Sequence, residues 1–331
     1  MPSSPHPALT AIAAVALVAT LSGCASSPET EHGDHASSDA YPVTVTNCSN
    51  EITFDQSPER IVVLRNEAIP VLSSLGVLDR TVGLVGRFHE AYFDEQTQTT
   101  MSEIPVLSDE ISQVGGGEIS LEDVIAQEPD LVIGTSETVT REGLLAQGIN
   151  VLENEESCAG SQATSTLDDI DTLFTLYAEV FDRHDEADAA LVDIDQQIDA
   201  AIAQIPDGEN RTAAMLYPTI GGGATYAYGS GSMNHTLLEL AGFNNVFADL
   251  PDRTAEVTAE ELLARDPDVI ILLHSGATDE EVEESLTAVP GASELTAVTN
   301  DALFPLLFGF TSPASPITID GLTQIVERFQ E

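Results

Sequence analysis

Twelve residues, EDVIAQEPDLVI from Glu122 to Ile133, return 138 positions later as EELLARDPDVII from Glu260 to Ile271, without a gap. Five positions are identical and six more are conservative exchanges, with Pro129 and Pro267 in register. Each copy reads as an amphipathic helix, a Pro-Asp turn and a buried strand. Proline lacks the N–H and the room to continue a helix, and an uninterrupted apolar run suits a parallel strand covered on both faces. A repeated helix-turn-strand unit predicts two similar α/β lobes. Chance similarity is the plain alternative, because many crossover connections follow this order.

Residues 8 to 21 form an almost unbroken apolar run, too short to span a bilayer, and Leu21-Ser22-Gly23-Cys24 follows it. Small residues before a cysteine that opens a polar stretch resemble a bacterial lipoprotein signal, although the start of the chain carries no Lys or Arg. The expectation is a signal at 1–23, acylation of Cys24 and a flexible tether at 24–40, with an ordinary secretory signal as the alternative. The short Glu31-His32-Gly33-Asp34-His35 run reads as solvated tether. An extracytoplasmic location makes pairing of Cys48 with Cys158 the expected use of the two other cysteines, against free buried thiols.

About 290 residues then remain, enough for two lobes of about 140 each. The whole chain carries 56 acidic residues against ten arginines and no lysine, for a formal net charge of −46. Such a surface repels nucleic acid and anionic lipid headgroups. With 42% hydrophobic residues, the chain is nevertheless no candidate for wholesale disorder.

Lobe one, 41–184, opens with an extended stretch from Tyr41 to Phe54 and strands at 60–64 and 81–85, with a helix at 68–75 between them. The first repeat copy follows, and Val151-Leu152 closes the lobe. Leu191, Ile194, Ile198, Ala201, Ile202 and Ile205 recur at helical spacing, so a single helix over 185–205 is expected to join the lobes. A helix of that length reaches roughly 30 Å, enough to cross between two lobes, and makes the joint stiff. Lobe two, 206–331, begins with a strand at 212–217 and ends with a strand at 303–308 and a helix at 318–329. The fold class is α/β: two lobes with mainly parallel sheets, one long rigid helix and a ligand cleft between the lobes.

With these parts in place, the chain resembles the helix-linked substrate-binding proteins of iron-complex and vitamin B12 ABC importers. The resemblance covers roughly Pro42 to Phe329. It is carried by SPERIVVL and LSSLGVLDRTVGL within Ser57 to Leu84, ISLEDVIAQEPDLVIG from Ile119, YGSGSMNHTLLELAGFNNVF from Tyr228, and VTAEELLARDPDVIILL from Val257. It implies a monomeric receptor, anchored to the membrane by lipidated Cys24, that delivers its cargo to an ABC permease and the permease's ATPase. It also implies that Glu122 and Glu260, which head the two repeat copies, dock on arginines of the permease. The alternative for both is a carboxylate favoured in a first helical turn by the helix dipole.

Ligands of open α/β sheets sit beyond the carboxyl ends of the strands. The candidates there are Arg65, Arg87, Phe88 and Tyr92 in lobe one, and Tyr217, Tyr226, Tyr228, Phe308 and Phe310 in lobe two. Arginine forks suit anionic carboxylate, catecholate or hydroxamate oxygens, and a flat aromatic wall suits a siderophore or tetrapyrrole. Surface pairing of the arginines and core packing of the aromatics are the alternatives. His89 or His274 could ligate haem iron, and with Glu137 they could form a bare-metal site. No cofactor is expected beyond the transported iron complex. A ferric siderophore is the favoured cargo, with haem, cobalamin or a bare metal ion as alternatives. An enzyme is disfavoured: a Walker A loop requires a lysine the chain lacks, and Gly229-Ser230-Gly231-Ser232-Met233 fits neither a nucleophile elbow nor a dinucleotide loop.

Overall fold

The computed structural model describes residues 40–110, 117–158, 165–206 and 211–329. The expected signal, Cys24 and the tether up to Asp39 lie outside them. Among the described residues, no helix is long and apolar enough to cross a membrane.

The expected extended stretch is a hairpin of β1 (Val43–Asn47) and β2 (Asn50–Phe54), a two-stranded sheet of its own. Asn47 pairs with Asn50, and Cys48 and Ser49 both have positive φ, the backbone of a two-residue turn whose twist matches that of the strands. The first lobe's sheet contains β3 (Ile61–Val63), β4 (Thr81–Val85), β5 (Val106–Ser108), β6 (Leu131–Ile133) and β7 (Asn150–Leu152). Their spatial order is β5-β4-β3-β6-β7 and every pairing is parallel.

The second sheet contains β8 (Thr212–Pro218), β9 (Thr225–Tyr228), β10 (Asn244–Asn245), β11 (Thr254–Val257), β12 (Val269–His274) and β13 (Leu303–Leu307). Its order is β11-β9-β8-β12-β13, with β10 beside the start of β8. The pairs β8–β12, β12–β13 and β8–β10 are parallel, whereas β9 runs antiparallel to both β8 and β11. That antiparallel excursion is where the two lobes differ most.

The repeat is structural as well as sequential. Ser120 and its counterpart Thr258 cap the helices Leu121–Ile125 and Ala259–Arg265, each hydroxyl accepting at 3.1 Å from the amide three residues on. Before each proline the chain passes through Glu128 and Asp266, equivalent positions that both have positive φ. The aspartate after each proline then ties the strand that follows to its neighbour. Asp130 accepts from the amides of Glu59 and Arg60 at 2.8 and 2.9 Å, at the head of β3. Asp268 accepts from the Thr212 amide and hydroxyl, both at 2.8 Å, at the head of β8. The Pro-Asp turn therefore sets strand registration in both lobes.

Side chains alternate across each sheet, as the pleat requires. Val62 and Val132 face an outer apolar layer in lobe one, and Ala214, Ile270 and Leu272 face one in lobe two. Ile61, Leu131 and Ile133 face inward, and so do Met215, Val269 and Ile271. The inward faces belong to one continuous core. Between the sheets it is filled by the helices Ala68–Ser74, Asp168–Phe181, His184–Ile202 and Pro316–Phe329, which pack on one another. The connecting helix His184–Ile202 buries Ala187, Ile194 and Ala201 on one face, and its 19 residues span about 28 Å at 1.5 Å per residue. The helix Asp168–Phe181, which the reading above lacks, buries Ile170, Phe174, Tyr177 and Phe181.

Cys48 and Cys158 form a disulfide that closes a 110-residue separation and pins the hairpin turn to the segment after β7. Next to it, the Asn47 side chain donates to the Glu153 carbonyl at 2.8 Å and accepts from the Glu153 amide at 2.9 Å. Arg141 bonds both the Glu153 carboxylate, at 2.7 Å, and Asn47 Oδ1, at 2.8 Å. Glu153 also accepts from Thr135 Oγ1 at 2.6 Å. A buried carboxylate is tolerated here because each oxygen has a partner.

Two outcomes follow for stability. Replacing both Cys48 and Cys158 by serine should lower the unfolding free energy by about 3–5 kcal/mol in denaturant titrations, the chain-entropy expectation for so long a loop. Asp268→Ala strips partners from the Thr212 amide and hydroxyl together and should cost about 1–3 kcal/mol, whereas Asp266→Ala, on the other side of Pro267 and exposed, should not reproduce that loss at β8 in amide exchange.

Candidate functional site

Strand direction decides where a site can form. The parallel strands of both sheets end on the side where the repeat helices begin, because each helix returns antiparallel to the strands it connects. A cleft of about 630 Å³ opens on that side. Lobe one supplies Arg65, Asn66 and Glu67 after β3, Arg87, Phe88, His89 and Tyr92 after β4, and Glu156 and Ser157 after β7. Lobe two supplies Ser275 and Gly276 after β12, Phe308 and Gly309 after β13, the Ser312–Ile317 approach to the last helix, and Arg253.

At one end of the cleft the lobes touch directly. The Gly309 amide donates to the Tyr92 hydroxyl at 3.1 Å, and the Tyr92 ring meets Phe310 edge-on with centroids 5.0 Å apart. A β-carbon on Gly309 would lie 2.5 Å from Tyr92 Cζ, so only glycine admits the ring. Burial raises the Tyr92 pKa, with the Gly309 amide opposing it, and keeps the phenol neutral.

The expected ligand residues divide into two groups. Arg65, Arg87, Phe88, Tyr92 and Phe308 line the cleft together, as does His89. Tyr217, Tyr226, Tyr228, Phe310 and His274 do not reach its lining. Tyr217 and Tyr228 stand behind Phe308, with ring centroids 5.9 and 6.3 Å from it. Tyr228 is 5% exposed, whereas Tyr226, two residues earlier on β9, is 42% exposed. The two rings occupy different environments: Tyr228 packs in the core beside Phe308, whereas Tyr226 lies toward solvent. Phe310 and His274 are buried. Burial lowers the His274 pKa, Asp279 opposing it, and its Nδ1 accepts from the Gly276 amide at 3.4 Å. His89 Nδ1 accepts from the Ala91 amide at 3.2 Å. Glu137 is exposed and away from the cleft lining. Among the described residues, no group of three or more His, Cys, Asp or Glu is placed to hold a metal ion.

Arg65 donates from Nη2 to the Thr135 carbonyl at 2.9 Å, while its buried Nε has no hydrogen-bond partner. Arg87 is exposed and donates from Nε to the Asp109 carbonyl at 3.2 Å. Each guanidinium thus keeps donors to spare for an oxygen-rich guest.

Three charged residues of the cleft went unread in the sequence. Glu67 is buried just after β3; burial raises its pKa, partly offset by Arg65 and reinforced by Glu156. Glu156 and Arg253 face each other across the cleft at 3.6 Å. Arg253 precedes β11 instead of following the carboxyl end of a strand, but the glycine-rich stretch after β9 gives it away. The β-carbons that Gly229 and Gly231 lack would lie 2.4 Å from the Leu250 carbonyl and 2.7 Å from the Pro251 carbonyl. The 250–253 loop lies flat on those glycines, held by Ser230 N→Leu250 O at 2.8 Å and Gly229 N→Arg253 O at 3.2 Å. The glycines serve close packing rather than phosphate binding.

Glu122 and Glu260 are exposed in the first turns of their helices, on the cleft side of both sheets, and Glu122 accepts the Ala126 amide through its backbone alone.

Known proteins agree with this architecture. The model of the family described as periplasmic binding protein matches residues 61–306. A crystal structure described as an ABC-type Fe3+-hydroxamate transport system from Saccharomonospora viridis is 44% identical, with a TM-score of 0.80, and the match covers 87% of this chain and 99% of that one. A cobalamin-binding protein of Halobacterium salinarum is 26% identical over 296 residues, 86% of this chain and 72% of the relative. The periplasmic heme-binding protein RhuT of Roseiflexus, 20% identical with a TM-score of 0.65 over 82% of this chain and 98% of that one, shares the fold. The chain belongs to the periplasmic binding protein family, extracytoplasmic substrate-binding proteins that serve ABC transporters and are not enzymes.

Proposed function

We propose that this protein captures a ferric siderophore of the hydroxamate type between its lobes and hands it to an ABC permease. The observation that carries the reading is electrostatic. In a chain with a net charge of −46 and only ten cationic side chains, three arginines, Arg65, Arg87 and Arg253, line one cleft. Phe88 and Phe308 supply apolar surface beside them. Guanidinium forks would hold hydroxamate oxygens while the rings pack on the chelate's carbon frame. The 44% identity to the Fe3+-hydroxamate transport protein supports the same class. Tyr217, Tyr228 and Phe310 would act by supporting Phe308 and Tyr92.

In this reading the receptor works as a monomer outside the cytoplasm, tethered through residues 24–40 to a lipid on Cys24. Its lobes are 41–184 and 206–331, joined by 185–205. Glu122 and Glu260 engage arginines of the two-fold permease, one from each lobe.

Isothermal titration with a neutral ferric trihydroxamate, haemin and cyanocobalamin separates the ligand classes. The trihydroxamate should bind and Arg87→Gln should weaken it about 10- to 100-fold, the value of one charge-assisted hydrogen bond, without a change in melting temperature. Tight binding of haemin or cyanocobalamin with none of the trihydroxamate would overturn the assignment. Charge reversal at both Glu122 and Glu260 should abolish ligand-dependent iron uptake by cells and leave the titration unchanged; wild-type uptake by that variant would refute the docking role.

A further inference from the structure

Arg253 reaches the cleft from lobe two, and Glu156 from lobe one. Their 3.6 Å separation is too long for a hydrogen bond, so charge alone holds the pair. Glu156 is 11% exposed, and its buried Oε1 has no hydrogen-bond partner. A carboxylate so withdrawn from water with one loose contact is poorly compensated. Arg253 is in the opposite condition. It is half exposed, its Nη2 donates to Ser312 Oγ at 2.7 Å, and its backbone is clamped on the glycine seat. The guanidinium therefore stays in place whether or not Glu156 does.

We propose that Glu156 is a built-in competitor for the ligand: its carboxylate holds Arg253 across the cleft until an anionic oxygen of the cargo displaces it. The inference rests on the ligand-cleft reading above and adds a selectivity rule to it. A guest oxygen at ordinary charge-assisted distance, about 2.7–2.9 Å, gains more from Arg253 than Glu156 does at 3.6 Å. Displacement leaves Glu156 without a cationic partner in a cleft lined by a second carboxylate, Glu67, and the repulsion between them opposes release. Only a guest whose oxygens bind Arg253 strongly enough to offset that repulsion completes the exchange. The pair thereby ranks guests of similar shape by the charge on the oxygens they bring to Arg253.

A double-mutant cycle tests this by titration of two probes, a neutral ferric trihydroxamate and its analogue bearing one free carboxylate. Glu156→Gln should tighten the carboxylate-bearing complex about two- to fivefold, the range of a partly exposed ion pair, and the neutral complex less. In an Arg253→Gln background the same Glu156→Gln change should have no effect. Equal effects in both backgrounds, or weaker binding by Glu156→Gln, overturn the inference while leaving the ligand cleft intact. Failure of both probes to bind wild type and variants alike overturns the ligand-cleft reading and the inference together. Unchanged melting temperatures in the variants exclude misfolding as the cause of either result.

Discussion

The apolar layer between the two sheets is the constraint on which the rest of this molecule depends. The inward residues of both sheets and four helices form one core, so the lobes are not independent bodies on a hinge. Large closure would expose that core to water, at roughly 25 cal/mol for each Å² of apolar surface. Motions that preserve the core are small rocking displacements of packed elements. The cleft is accordingly built by side chains already in position, which explains why its walls are braced from behind. Tyr217 and Tyr228 back Phe308, and Tyr92 is fixed by Gly309 and Phe310.

Charge is organised by the same rigidity. Arg65 and Arg87 follow strand ends, where the fold presents side chains without asking a loop for order. Arg65 is also linked, through Thr135, to the Glu153, Arg141 and Asn47 network beside the disulfide. The hairpin of β1 and β2 thereby helps to hold the cleft's Arg65.

Much of this was legible in the residues. The Pro-Asp repeat marked two equivalent units, and the structure adds the reason for its strictness: each aspartate binds the head of the next strand over. Periodicity found the connecting helix within a few residues of its ends. The helix Asp168–Phe181 carried an equally clear pattern, with Ile170, Phe174, Tyr177 and Phe181 on one face, but its acidic first turn resembled the charged surroundings and hid it. The antiparallel β9 and β11 are only four residues each, β9 between glycines and β11 among polar residues, so no run of apolar residues announced them. Strand-end logic found Arg65, Arg87, Phe88 and Phe308. It missed Arg253, which sits in a loop placed by packing between distant segments, and it passed over Glu156, which follows β7 but is one of many carboxylates in an acidic chain. Tyr226 and Tyr228 show the converse limit: their spacing was readable, but the exposure of one and the burial of the other were not.

The glycine seat beneath the 250–253 loop has an evolutionary corollary. A loop clamped by backbone contacts to Gly229, Ser230 and Gly231 keeps its path whatever side chain stands at position 253. Exchanging that one residue would alter what the second lobe offers a guest while the scaffold stays constant. Divergence in cargo among relatives with this seat can therefore proceed by single substitutions at a fixed pedestal, with no need to remodel the loop that carries them.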